Sequence, residues 1–227
     1  MKTILLIGGL NRQFLPTMPN RPKSLIEIAG KPLIEWQIDW LKRYRINSVI
    51  ALAGRHGAEV AEYVGTGRKY GISISFIFEE EPLGTAGAIR NAFDLLRTDE
   101  MFFVINGDVV TSIDLYRIKL SASDVAVMAL VPLKSTYGLA AVEDSKITSF
   151  YDRPTLESYW LNAGVYLMSR RIFSYLPEKG SLEKSTFPKL AKEGKLGNFL
   201  AHEPYWFSID SQQDIVNVAD VLAGKKK

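Results

Sequence analysis

The sequence predicts an α/β protein with one mixed, mainly parallel sheet, helices on both faces and a small accessory β region. Three observations predict this class. The composition of the 227 residues, 47% hydrophobic and 23% charged, is that of an ordinary globular chain. Apolar runs of strand length alternate with helix-period segments through the first half, as in right-handed β-α-β units. No Gly/Ser/Pro linker and no fixed-period repeat divides the sequence, so we expect one domain over residues 1–227.

The first half supplies the parallel part of the predicted sheet. Apolar runs predict strands at residues 3–7, 48–53, 73–79 and 101–105. Helical spacing predicts helices at residues 32–44, 57–64 and 85–96, and Pro32 suits the first turn of the first helix. Ligands in such sheets bind at the carboxyl ends of the strands, so we expect function in the loops that follow them.

The second half is less regular. Strands are predicted at residues 124–133, 138–142, 147–152 and 160–169, three of them spaced for antiparallel neighbours. Helices are predicted at residues 170–176, 182–193 and 211–222, with a short strand near 207–210. The expected whole is a Rossmann-like α/β/α domain with an accessory β region over the strand ends.

Composition also excludes several function classes. A formal net charge of +3 is too weak to imply a nucleic-acid partner. The absence of cysteine excludes disulfides and thiolate chemistry, and two histidines are too few for a His-rich metal centre. No apolar stretch approaches the roughly 20 residues of a membrane span. We therefore expect a cytoplasmic protein with no membrane partner, and the sequence leaves a homo-oligomer open.

The loop after the first strand combines glycines with basic residues. Gly8 and Gly9 allow close backbone approach to a ligand, and Arg12, Arg21 and Lys23 supply the positive charge that a triphosphate requires. A tight turn with solvated basic residues is an equal alternative. The string is neither G-x-G-x-x-G nor a P-loop, which disfavours a nicotinamide dehydrogenase or a P-loop ATPase.

Residues after two later strands are candidates for binding an anion and a metal ion. Gly84 and Gly87 permit close backbone approach, and Thr85 is expected to cap a helix whose N-terminus favours anions. Asp108 ends an apolar strand and, beside phosphates, is a natural Mg²⁺ ligand; Asp210 is the candidate second carboxylate. The alternatives are a plain β-α turn and an aspartate in an ordinary turn.

Together these strings resemble the sugar-1-phosphate nucleotidyltransferase family, the nucleotide-sugar pyrophosphorylases. The family strings G-G-x-G-T-R-L-x-P and P-K-P-L correspond to GGLNRQFLP at 8–16 and PKSL at 22–25. E-x-x-P-L-G-T-A-G-A matches residues 79–88, and G-D matches 107–108. E-K-P resembles DRP at 152–154, and N-A-G-I-Y resembles NAGVY at 162–166. The motifs keep the family order along the chain.

The resemblance implies a Mg²⁺-dependent reaction of an NTP with a sugar 1-phosphate that gives an NDP-sugar and pyrophosphate. It implies catalytic roles for Arg12, Lys23, Asp108 and Asp210, the two aspartates as the metal ligands. The implied nucleotide-binding residues are Gly8, Gly9, Glu79, Pro82, Gly84 and Thr85. The implied sugar-phosphate-binding residues are Gly138, Asp152, Arg153 and Asn162.

One loop departs from the family pattern. Gln13 stands where the family has its loop arginine, and Asn11 replaces a loop glycine. Arg12 or Arg21 is the candidate replacement for that charge. A second hypothesis is therefore a weakly active or non-catalytic sugar-nucleotide-binding regulatory homologue. A nucleotide-sugar glycosyltransferase is a third, disfavoured because the strand end at Asp108 lacks an Asp-x-Asp motif.

Glu79 favours guanine as the base. The pairing edge of guanine presents N1–H and N2–H₂, two donors that one carboxylate accepts together. The string around Glu79 resembles the mannose-1-phosphate and heptose-1-phosphate guanylyltransferase branch, but uridylyl- or thymidylyltransferases of the family and a solvent-facing Glu79 remain alternatives. No hexapeptide-repeat β-helix, which guanylyltransferases often carry, is expected here. The sugar is not readable from the sequence.

Overall fold

The computed structural model describes residues 1–8, 22–202 and 204–225, with the side chain of Glu157 excepted. The strands are β1 (Lys2–Leu6), β2 (Glu27–Ile28), β3 (Lys31–Pro32), β4 (Ser48–Ala53), β5 (Ser73–Phe78), β6 (Met101–Asn106), β7 (Val109–Thr111), β8 (Ala126–Lys134), β9 (Leu139–Glu143), β10 (Lys146–Tyr151), β11 (Thr155–Ser169), β12 (Leu196–Leu200) and β13 (Trp206–Ser208). The α-helices are α1 (Leu33–Arg43), α2 (Gly57–Val64), α3 (Gly84–Asn91), α4 (Phe93–Leu96), α5 (Phe187–Lys192) and α6 (Gln212–Leu222).

Seven strands form the central sheet, in the order β12-β8-β11-β6-β1-β4-β5. β6, β1, β4 and β5 are parallel neighbours, and β12 is parallel to β8. β11 runs antiparallel to both β6 and β8. The predicted mixed, mainly parallel sheet is therefore confirmed.

Apolar side chains cover both faces of this sheet. Along β1, Leu5 belongs to the core cluster that includes α1 and α2, whereas Ile4 belongs to the cluster that includes α3, α4 and α5. Phe103 and Phe102 divide between the same two clusters on β6. Because successive side chains point to opposite faces, an unbroken apolar run is what a strand between two helical layers requires.

The accessory β region is the β9–β10 hairpin, a two-stranded sheet separate from the central one, and β11 follows it in the chain. β9 pairs antiparallel with β10, and most side chains of both strands are exposed. The pairing of β11 with β8 shifts register twice, between Leu156 and Trp160 and between Asn162 and Tyr166. Such irregularities locally bend and twist a strand.

Several predicted elements differ in the structure. The segment 85–96 is two helices, because the chain leaves helical geometry at Ala92. Residues 170–174 form a 3-10 turn, and 182–186 form a π-helical turn before α5. β7 and β12 lay outside the predicted strands: β7 has three residues, and β12 contains Gly197 and Asn198, which disfavour strands.

The prediction that Thr85 caps α3 was wrong. The N-cap residue is Leu83, and it makes no side-chain cap. The backbone oxygen of Gly180 instead accepts hydrogen bonds from the N–H groups of Ala86 (2.9 Å) and Gly87 (3.4 Å). The Thr85 hydroxyl accepts the N–H of Leu182 at 2.8 Å. Two backbone N–H groups in the first turn of α3 therefore find their acceptor in the segment before α5.

Gly84 and Gly87 make this packing possible. A Cβ atom at Gly84 would overlap the backbone of Gly180, and one at Gly87 would overlap the carbonyl oxygen of Glu178. The sequence predicted close backbone approach to a ligand at these glycines. Both glycines lie instead against the backbone of the protein's own 178–180 segment.

Gly87→Ala tests this packing through the sign of its effect. Helix propensity alone would raise the free energy of unfolding by about 1 kcal/mol. Because the new methyl group meets the Glu178 backbone, we expect instead a net loss of about 1–3 kcal/mol in urea denaturation. A stabilised variant would contradict the described packing.

Candidate active site

A cavity of about 660 Å³ opens at the carboxyl ends of β1, β4, β5 and β6. The lining residues at the β1 end, at the β4 end and in the turn at Lys23 are Leu6, Ile7, Gly8, Lys23, Ser24, Leu52, Gly54 and Arg55. The lining residues at the β5 end, in α3 and at the β6 end are 79–82, Gly84, Thr85, Ala88 and 106–108. The cavity lies where a ligand site was expected from the loops that follow the strands.

Glycines let the strand ends approach one another at the cavity. A Cβ atom at Gly54 would lie 2.7 Å from the carbonyl oxygen of Gly8, and one at Gly107 would lie 2.5 Å from that of Leu6. Real Cβ atoms essentially never come so close, so larger residues would push β1 away from its neighbours. The strand ends at the cavity are therefore in direct backbone contact.

Lys23 bridges two aspartates at one end of the cavity. Its Nζ atom lies 2.9 Å from Oδ2 of Asp108 and 2.8 Å from Oδ1 of Asp210. Lys23 belongs to a 3-10 turn (Lys23–Leu25), Asp108 follows β6, and Asp210 follows β13. The structure thus brings together three of the four predicted catalytic residues.

Backbone pairing places Asp210 beside Asp108. β13 pairs antiparallel with β7, and the N–H of Ile209 continues the ladder to the carbonyl oxygen of Asp108 at 2.9 Å. A capping box at the start of α6 then fixes the turn: Asp214 accepts the backbone N–H groups of Asp210 and Ser211 at 3.0 and 2.7 Å. Two short elements therefore determine where the second carboxylate lies.

The pKa values of Lys23 and Asp210 are both shifted in this cluster. Burial acts to lower the pKa of Lys23, but the charges and hydrogen bonds of Asp108 and Asp210 outweigh it, so this pKa is raised. Burial acts to raise the pKa of Asp210, but hydrogen bonds from Lys23 and Ser208 outweigh it, so this pKa is lowered. Both shifts favour a Lys23 ammonium group beside an ionised Asp210 at neutral pH.

Gln37 holds the turn that carries Asp108. It is 1% exposed, and its Nε2 donates to the carbonyl oxygens of Asn106 at 2.9 Å and Val109 at 3.0 Å. Sequence reasoning missed this residue. The sequence could have indicated it, because Gln37 is a polar residue four positions after Leu33 and four before Leu41, which places it on the buried face of α1.

Glu79 lies at the other end of the cavity, where β5 ends. Its backbone N–H bonds the carbonyl oxygen of Ala53 at 2.9 Å, and its Oε2 accepts the N–H of Leu83 at 3.2 Å. Among the described residues Oε1 has no hydrogen-bond donor. Burial raises the pKa of Glu79 and outweighs the lowering by the Leu83 bond. Oε1 is therefore open to a ligand, and Oε2 can accept one further donor besides the Leu83 N–H, because each carboxylate oxygen has two lone pairs.

The predicted sugar-side residues lie apart from the cavity lining. Asp152 and Arg153 occupy the exposed turn between β10 and β11, and a Cβ atom at Gly138 would touch the ring of Phe150 on β10. Asn162 lies in a bulge of β11, where its Nδ2 donates to the Tyr166 hydroxyl at 2.8 Å and its Oδ1 accepts the N–H of Gly164 at 2.9 Å.

Asn162 is nevertheless on the Asp108 side of the sheet. Val165 pairs with Ile105, so Asn162 lies beyond the end of β6, in the direction of Asp108. Burial raises the pKa of Tyr166, a hydrogen bond from Asn162 lowers it, and the negative charges of Glu183 and Asp108 raise it further. Gly9, Arg12 and Gln13 lie outside the described residues, and their predicted roles stay predictions.

The family model described as nucleotidyl transferase matches residues 2–223. The chain belongs to this family. A D-glycero-alpha-D-manno-heptose 1-phosphate guanylyltransferase of Aneurinibacillus thermoaerophilus is 31% identical, over 94% of this chain and 95% of the relative. The mannose-1-phosphate guanylyltransferase catalytic subunit beta of Dictyostelium discoideum is 30% identical, over 96% of this chain and 63% of the relative.

A solved structure gives the same fold for this nucleotidyl transferase. HddC from Yersinia pseudotuberculosis, crystallised in complex with GMP-PN, matches with a TM-score of 0.78 and 24% identity, over 97% of this chain and 99% of HddC. The family model and the two relatives support a sugar-1-phosphate nucleotidyltransferase enzyme, as the motifs predicted. No helix in residues 1–8, 22–202 and 204–225 is long and apolar enough to cross a membrane.

Gln37→Leu tests how the Asp108 turn of this nucleotidyl transferase is held. Two carbonyl oxygens lose their donor, so we expect the free energy of unfolding to fall by about 2 kcal/mol in urea denaturation. Gln212→Leu, at an exposed position of α6, is the control and should change it by less than about 0.5 kcal/mol. Equal stability of the two variants would contradict the bracing role.

Proposed function

We propose that this protein transfers the guanylyl group of GTP to a sugar 1-phosphate, with Mg²⁺ held by Asp108 and Asp210, and releases pyrophosphate. The observation that carries the choice of GTP is Glu79, half-buried at the end of the cavity away from Lys23. The guanylyltransferase relatives support the same choice. Their named substrates suggest a heptose or mannose 1-phosphate as the acceptor.

Hydrogen-bond chemistry favours guanine beside Glu79. Adenine presents an acceptor at N1, which a carboxylate repels, and uracil or thymine presents one N3–H between two carbonyl oxygens. Guanine offers two adjacent donors. Because burial raises the pKa of Glu79, donors from the base would replace solvation that the ionised carboxylate has lost.

The residues present fit a magnesium ion. Asp108 and Asp210 direct carboxylate oxygens at one cation, the Lys23 ammonium, so the site already stabilises positive charge. The described residues contain no group of three or more acidic, His or Cys side chains suited to a metal. Two carboxylates suffice for Mg²⁺, because this ion commonly completes its shell with substrate phosphates and water. When bound, it would neutralise phosphate charge.

The remaining chemistry is positioning and charge neutralisation. The oxygen of the sugar phosphate attacks the α-phosphorus in line, and pyrophosphate leaves. The nucleophile needs no protein base, because a phosphate monoester is largely ionised at neutral pH. In this proposal Lys23 and Arg12 contact the nucleotide phosphates, and Arg153 binds the incoming phosphate.

The sugar hydroxyls are assigned to three residues in this proposal. Asp152 and Gly138 would contact them from the accessory β region. Asn162 would contact them from the bulge of β11, where its amide is already oriented by Tyr166 and Gly164.

Pyrophosphate release from a panel of nucleotides tests the choice of base. With Mg²⁺ and a heptose or mannose 1-phosphate, we expect GTP to be preferred over UTP, dTTP, ATP and CTP. Glu79→Gln should lower kcat/KM for GTP by roughly 10- to 100-fold, because an amide cannot accept both donors. Glu62→Gln, at an exposed position of α2 outside the cavity lining, is the matched control. A preference for UTP or dTTP would sink the guanine assignment.

Asp108→Asn tests the role of the acidic pair. We expect kcat to fall by roughly 10²- to 10³-fold or more, because phosphate charge would be poorly neutralised in the transition state. Binding of Mn²⁺, followed by electron paramagnetic resonance in the presence of nucleotide, should weaken in parallel. Asp94→Asn, exposed on α4, should change neither quantity. Undiminished turnover in the Asp108 variant would contradict the assignment.

A further inference from the structure

Arg55 is a cavity residue to which the proposed function gives no role. It follows β4 by two residues, it is exposed, and it lines the same cavity as Glu79. Ala53 pairs with Phe78, and the N–H of Glu79 bonds the Ala53 carbonyl oxygen. Arg55 and Glu79 therefore emerge from the ends of adjacent parallel strands.

The guanidinium of Arg55 is available to a ligand. It makes no hydrogen bond or ion pair with the described residues, although Glu79, Glu80 and Glu81 line the same cavity. Lys23, the other cation in the described lining, is held by Asp108 and Asp210. A guanidinium presents five donors in a planar fork, which suits two acceptors on one edge of a ligand.

The position of Arg55 indicates the base rather than the phosphates. In the sheet order β6-β1-β4-β5, Asp108 follows β6, whereas Arg55 follows β4 and Glu79 follows β5. With strands about 4.8 Å apart, the end of β4 before Arg55 lies roughly 10 Å from the end of β6 before Asp108 and next to the end of β5 before Glu79. The tight contact between Gly54 and Gly8 fixes the backbone just before it.

We propose that Arg55 reads the O6 and N7 edge of guanine while Glu79 reads its N1–H and N2–H₂ edge. The inference rests on the proposed GTP specificity and deepens it. O6 and N7 of guanine are adjacent acceptors that an arginine binds bidentately. Adenine would present its N6 amino donor to Arg55 and its N1 acceptor to Glu79, so both contacts reject it. A carboxylate on one edge and a guanidinium on the other therefore select guanine among purines.

A nucleotide that lacks N7 separates this contact from general charge effects. Dissociation constants of GTP and 7-deaza-GTP are measured by calorimetry for the wild-type chain, Arg55→Gln, Arg55→Lys and the exposed control Arg68→Gln. We expect wild type and Arg68→Gln to bind 7-deaza-GTP roughly 5- to 100-fold more weakly than GTP. Arg55→Gln should lose most of the difference, because its short neutral amide lacks the charged fork. Arg55→Lys should keep part of it, because an ammonium group can still donate to N7 and O6.

Two results would overturn the proposal while leaving GTP as the substrate. One is an Arg55→Gln variant that still prefers GTP over 7-deaza-GTP as strongly as wild type. The other is a wild type that binds both nucleotides equally, which would leave Arg55 without an N7 contact. A wild type that prefers UTP or dTTP would instead refute the proposed function, and the inference about Arg55 would fall with it.

Discussion

The arrangement of this site depends on one ammonium group between two carboxylates. The three residues are far apart in the sequence. Lys23 lies near the start of the chain and bonds Asp108, 85 positions later, and Asp210, 187 positions later. The side chains of Lys23 and Asp108 are partly shielded from water, so their charges would be costly there without partners, whereas the Asp210 side chain is largely exposed. The interaction thus joins the start of the sheet to the final β13–α6 segment.

The rest of the fold serves to hold backbone and charge at the same edge of the sheet. Parallel strands end together, and glycines at their ends let the backbones approach closely there. Gln37 and the Asp214 capping box fix the two turns that carry the aspartates. The acidic end and the Glu79 end are then separated by the width of the intervening strands, which matches a ligand with phosphates at one end and a base at the other.

Much of the fold and part of the site could be predicted from the sequence. The apolar run at 3–7 and its successors predicted the parallel strands, because strands buried on both faces need continuous apolar sequence. Glycines and charged residues directly after those strands predicted Gly8, Lys23, Glu79 and Asp108 at one cavity. What failed depended on distant contacts: nothing near Thr85 shows that Gly180 occupies the first turn of α3. Arg55 and Gln37 belong to no motif, and their importance appears only when the strands and α1 are assembled.

The most direct test of this account is a crystal structure with Mn²⁺ and a GTP analogue, using the anomalous scattering of the metal. The account predicts a peak bound by both Asp108 and Asp210, Lys23 turned toward the phosphates, and the base between Arg55 and Glu79. A metal bound elsewhere, with Lys23 still bridging the two aspartates in the presence of nucleotide, would contradict it.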